Sequence, residues 1–122
     1  MKNNNIKILG IILFFIIIFF IIIKNIYNNK LLEKHSKYTI GNIISIEPNG
    51  NAGYKIYFTY EVNNKIYKAF GGIYRNDKNL IGKRYYIKFS PSNPKICKIL
   101  LEKEVPGNIT NAPPEGWDKI PQ

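Results

Sequence analysis

Tyr54-Lys55-Ile56-Tyr57-Phe58-Thr59-Tyr60-Glu61-Val62-Asn63-Asn64-Lys65-Ile66-Tyr67-Lys68-Ala69-Phe70 is the stretch on which the fold of this chain turns. Tyr54, Ile56, Phe58, Tyr60 and Val62 alternate with Lys55, Tyr57, Thr59 and Glu61, and a period of two is that of a strand with one face in a core. Asn63-Asn64 then closes a two-residue hairpin, because Asn tolerates the positive φ angles that such turns require. The turn sets the register. Val62 opposite Lys65 places Tyr60 against Tyr67, Phe58 against Ala69 and Tyr57 against Phe70. Ile56, Phe58, Tyr60, Tyr67 and Ala69 form the expected core face. The other face carries Lys55, Tyr57, Thr59, Lys68 and Phe70, a mixture of rings and charge that reads either as a solvated face or as a contact surface.

More strands are expected on both sides of the hairpin. Upstream, Tyr38, Ile40, Ile44 and Ile46 alternate with Thr39, Gly41 and Ser45, with Ile43 out of step and Gly41 as the expected bend or bulge. Pro48-Asn49-Gly50-Asn51-Ala52-Gly53 is a dense turn signal. Downstream of Gly71-Gly72 the period is lost, apart from one expected helical turn around Lys78 to Ile81. Arg84 to Ser90 alternates again, with Tyr85, Ile87 and Phe89 inward, until Ser90-Pro91-Ser92-Asn93-Pro94 breaks it. Ile96 to Leu101 reads as a last short strand. Residues 38–104 are therefore expected to form an all-β small domain of about five strands, either an open barrel or a curved antiparallel sheet.

Ahead of the domain, Ile6 to Ile23 contains only Ile, Leu and Phe apart from Lys7 and Gly10. As a helix it reaches roughly 27 Å, close to the thickness of a bilayer's hydrocarbon core. A soluble helix would carry a polar stripe, and this stretch has none. It is also longer than a signal-peptide core, and Lys24-Asn25-Ile26-Tyr27-Asn28-Asn29-Lys30 offers no small-residue cleavage site. Residues 1–27 are expected to be one N-terminal transmembrane helix, an uncleaved signal-anchor, so the lipid bilayer is the first partner implied. Residues 28–37 follow as a polar stalk, in which Tyr27 and Leu31 at helical spacing let the helix run on toward Ser36. Lysines before and after the apolar run nearly balance. A strict lysine count favours a cytoplasmic domain, whereas a short basic head before an apolar run is the layout of an exported one, and the exported side is the expectation adopted.

The formal charge of +10 divides evenly. Residues 1–37 hold six lysines against Glu33, and lysines flanking an anchor meet anionic headgroups. The domain keeps a net +5 from 12 basic and 7 acidic residues, a modest field for nucleic acid. Catalysis has little to work with. His35 is the sole histidine and reads as a solvated stalk residue, Cys97 is the sole cysteine, and Asp77 and Asp118 are the only aspartates. No glycine-rich phosphate loop, paired carboxylates or metal-ligand spacing is present, so no enzyme, cofactor or metal is expected. The lone cysteine also excludes an intramolecular disulfide.

The hairpin, then Ile81-Gly82-Lys83-Arg84-Tyr85-Tyr86-Ile87-Lys88-Phe89-Ser90-Pro91 through Asn93-Pro94, resembles a bacterial family of small membrane-tethered β-domains of unknown function. The resemblance covers most of residues 38–101 and rests on an aromatic-rich hairpin followed by Gly, a basic residue, a strand and x-Pro-x-Asn-Pro. Ala112-Pro113-Pro114-Glu115-Gly116-Trp117 also resembles the tails of some such proteins. It implies a tethered, non-catalytic domain and brings no catalytic residues.

Residues 105–122 form a Pro-rich tail expected to dock on the domain, since Trp117 with Ile109 and Ile120 is costly to leave in water. The alternative role for Trp117 is an exposed anchor for a partner or for headgroups. The function expected is a membrane-anchored protein-binding or scaffold module, with Lys55, Tyr57, Lys68, Phe70 and Trp117 as candidate partner-binding residues. Protection against a toxin delivered by a neighbouring cell falls within that class. The alternative from another class is an OB-like nucleic-acid face using Lys55, Tyr57, Lys68, Phe70, Tyr86 and Lys88.

Overall fold

The computed structural model describes residues 2–50 and 52–122; Met1 and Asn51, expected in the anchor and in the first β-turn, lie outside the described residues. The chain opens with α1 (Lys2–Lys34), a single unbroken helix. It is long and apolar enough to cross a membrane, and none of its apolar window is buried against the rest of the chain. The polar segment after Ile23 continues the same helix. Leu31 and Leu32 become half-buried where its last turns approach the sheet.

Five antiparallel strands follow: β1 (Lys37–Pro48), β2 (Tyr54–Val62), β3 (Lys65–Ile73), β4 (Arg84–Ser90) and β5 (Asn93–Glu104). Their order across the sheet is β3-β2-β1-β4-β5, so the strand that receives the helix is the central one. The sheet curls into a half-barrel. Tyr60 on β2 reaches across it and donates its hydroxyl to the Pro94 carbonyl on β5 at 2.6 Å. The concave face holds the core of Ile43, Ile56, Phe58, Tyr60, Val62, Tyr85, Ile87, Phe89 and Ile99, all nearly inaccessible to water. Burying such side chains stabilises by about 1.5–3 kcal/mol each, which is how so small a domain offsets the entropy of ordering its chain.

The hairpin has the register read from its turn. Val62 faces Lys65, Tyr60 faces Tyr67, Phe58 faces Ala69 and Tyr57 faces Phe70. Asn63 and Asn64 have φ of 52° and 66°, the left-handed values of a two-residue turn. The Tyr60 and Tyr67 rings stack at 5.5 Å. A short 3-10 turn at Lys78–Leu80 occupies the place expected for one, closed by the Asp77 carboxylate accepting from the Asn79 N–H.

In β1 the inward and outward sets are the reverse of the expectation up to the bulge, while Ile46 beyond it packs against the core as expected. Thr39, Gly41 and Ile43 point into the core, while Tyr38 and Ile40 face outward. The bulge falls between Ile43 and Ser45 rather than at Gly41, and it leaves Ile44 exposed. Gly41 serves a different purpose: a Cβ there would lie 2.5 Å from the side chain of Ile87 on the neighbouring strand. The last strand is also longer than Ile96 to Leu101, because β5 lies at a sheet edge, where Pro94 removes no needed ladder donor.

The tail crosses the outer face of the sheet at Arg84 and ends alongside β1, where it pairs with Tyr38. Arg84 holds its first part, donating to the carbonyls of Ile109 at 2.7 Å and Pro106 at 3.2 Å. Farther on, the Asn63 N–H donates to the Pro114 carbonyl at 2.7 Å. Trp117 and Tyr38 then exchange two backbone hydrogen bonds of 2.8 and 2.9 Å, with Lys37 and Asp118 at 3.6 Å beside them.

Candidate protein-contact face

The half of the outer face formed by β2 and β3 is left open. Because Tyr57 and Phe70 are cross-strand partners, their rings lie 6.0 Å apart at a 50° tilt. Lys55 stands opposite Gly72, which has no side chain, and so its ammonium swings diagonally over Phe70 at 4.8 Å from the ring centre. Lys68 does the same over Tyr57 at 5.3 Å. Four of the five candidate residues thus form one interlocked group, two rings each capped by a cation. At exposed sites such contacts are worth about 0.5–1 kcal/mol each, enough to orient the lysines without removing them from water.

Two apolar residues that the sequence reading did not single out extend the group. Ile66 is 71% exposed opposite Glu61, and Phe70 itself is 59% exposed. Ile44, at the bulge, lies next to Ser45, which pairs with Tyr57. The hairpin register alone places Ile66 on this face, so its signal was present. Ile44 carried none, because the bulge that turns it outward breaks the period from which its side would be read.

Trp117 is not part of this group. It sits over the opposite half of the outer face, its ring edge-on to Tyr86 at 6.1 Å. Tyr86 is itself 3% exposed, which corrects the expectation that it offers a stacking platform. Between the tail and the sheet lies a polar cleft of ≈ 310 Å³, lined by Asn42, Glu61, Arg84 and the arch from Thr110 to Pro114.

The buried titratable groups lie elsewhere. Burial, followed by the contact with Cys97, pushes the Tyr60 hydroxyl far above tyrosine's ordinary range. Burial also pushes the Cys97 thiol up, with its closeness to the Tyr60 hydroxyl drawing it part of the way back. A thiol held protonated inside a core is a poor nucleophile. Among the described residues no three His, Cys, Asp or Glu side chains gather as a metal site would require. The open face offers apolar area from its rings and positive charge from the lysines over them.

Comparison with known protein families, with curated proteins and with solved structures finds no match for this chain.

Proposed function

We propose that this chain is a membrane-anchored, non-catalytic protein-binding module, tethered by α1 and presenting the Lys55, Tyr57, Lys68 and Phe70 face to a protein partner on the exported side of the membrane. One observation carries the reading: the tail covers Tyr86 and its surroundings but leaves Phe70 and Ile66 in water beside the lysine-capped rings. Exposed aromatic side chains are commoner at interface centres than on ordinary surface, and charged groups such as these lysines belong to the rim around them. The apolar length of α1, all of it uncovered by the domain, supports the tether.

A photo-crosslinking amino acid placed at Phe70 in native membranes tests the reading. A discrete protein adduct at Phe70, absent when the same group replaces exposed Lys103 on β5, is the expected result. Adducts of equal intensity at both positions, or none at Phe70, count against it. A reporter enzyme joined after Gln122 that works only in the cytoplasm would refute the assigned side.

A further inference from the structure

We infer that β3 takes up an extended, apolar segment with one central acidic residue, contributed by a protein partner, as a sixth strand beside Ile66, Lys68 and Phe70; this rests on the protein-binding reading above. The two-residue turn makes Val62 and Lys65 a hydrogen-bonded pair. Counting along the strand, Lys65, Tyr67, Ala69 and Gly71 turn their peptide groups toward β2. Ile66, Lys68 and Phe70 turn theirs away from it. β3 is the last strand of the sheet; β5 comes up to it where Ile99 packs against Gly71, but among the described residues no backbone hydrogen bond from elsewhere reaches these three. They are a ready template for strand addition.

The two edges of the sheet differ in a way that singles out β3. β5 contains Pro94 and register irregularities on its pairing with β4, devices that blunt an edge. β3 pairs without interruption over nine residues and contains no proline.

Charge decides the occupant. β3 carries Lys65 and Lys68 and no acidic residue, so a second copy laid antiparallel with Ile66 opposite Phe70, the register that uses all three free residues, would set Lys68 against Lys68. An acidic residue opposite Lys68 is complementary. On either side of it, the outward neighbours Ile66 and Phe70 call for apolar residues, and so do Tyr67 and Ala69 on the inward side. The fitting segment therefore reads apolar, apolar, acidic, apolar, apolar.

The test uses the full chain in lipid nanodiscs and a fluorescein-labelled synthetic peptide, Asp-Ile-Val-Glu-Val-Ile-Asp. In the inferred pairing the central Glu N–H faces β3 and both Val N–H groups face away. N-methylation of the Glu should weaken binding by about tenfold or more, and N-methylation of a Val by less than about twofold. Lys68→Glu should weaken this peptide and strengthen one with Lys at its centre. Equal sensitivity to the two N-methylations, or no binding at about 1 mM peptide, overturns strand addition. So does a dimer of the full chain that excludes the peptide. If the peptide fails while the Phe70 crosslink persists, only the strand is withdrawn; if both fail, the protein-binding reading goes with it.

Discussion

Gly116→Ala should release the end of the tail while leaving the five-stranded sheet folded. Gly116 has φ of +85°, a conformation that costs an L-residue about 1–2 kcal/mol. A Cβ there would also stand 2.9 Å from the Tyr38 carbonyl oxygen and 2.8 Å from the Phe89 ring. That carbonyl is the one that accepts from the Trp117 N–H at 2.8 Å, so the new methyl presses on the bond that holds the tail. Phe89 is fully buried and has no room to move aside, and overpacking of this kind costs about 1–3 kcal/mol. The two effects total about 2–5 kcal/mol, which lowers the ratio of docked to free tail by a factor on the order of 30 to several thousand. Amide hydrogen exchange reads this directly, because the Tyr38 N–H is protected by the Trp117 carbonyl. Its protection should fall by that factor while Ile87 in the central core is unchanged. Gly82→Ala is the control: φ is +87°, but nothing lies within 4 Å of the new methyl. If Gly116→Ala leaves Tyr38 as protected as Gly82→Ala does, the steric account of tail docking is wrong.

Phe58→Ala should cost about 3–5 kcal/mol and leave the domain largely unfolded, whereas Thr59→Ala on the outer face should cost little; urea unfolding followed by circular dichroism separates them. Asn64→Gly should stabilise the domain by up to about 1 kcal/mol and Asn64→Val should destabilise it, since residue 64 has φ of 66°; thermal melts of both give the signs. Alkaline conditions should weaken the fold. Tyr60 keeps its proton in the folded state well above tyrosine's ordinary 10.0, while the unfolded chain releases it there, so stability is complete below pH 10 and falls as pH rises beyond it. Urea midpoints measured across that pH range should decline, and the decline should be shallower in Tyr60→Phe.

Legibility in the sequence followed local geometry. The hairpin register was readable because two Asn residues at positive φ fix both the turn and every pair beyond it. The face assignment of β1 was legible only at Ile46, because the bulge after Ile43 puts the residues before it out of step with those after it and no residue type announces it. Gly41 looked like a bend, yet its role is set by Ile87, a residue 46 positions later. The route of the tail likewise depends on partners distant in the chain, Arg84, Asn63 and Tyr38, that composition does not reveal. At the candidate face, Lys55, Tyr57, Lys68 and Phe70 came out together because a single turn determines their neighbours. Tyr86 came out wrong because its cover is Trp117, 31 residues downstream.

The unbroken course of α1 from the apolar run to Lys34 makes the stalk a rigid spar rather than a tether of variable length. From Lys24 to Lys34 it rises roughly 15 Å, which under the proposed tether would fix a height above the lipid for whatever the domain meets. It also fixes a compass bearing. Each residue added within the spar would turn the open face by about 100° around the helix axis, whereas four would bring it back to within about 40° and raise it about 6 Å. A partner held in the same membrane would therefore lose contact after a one-residue insertion and regain much of it after four, a periodic response that no floppy linker can give.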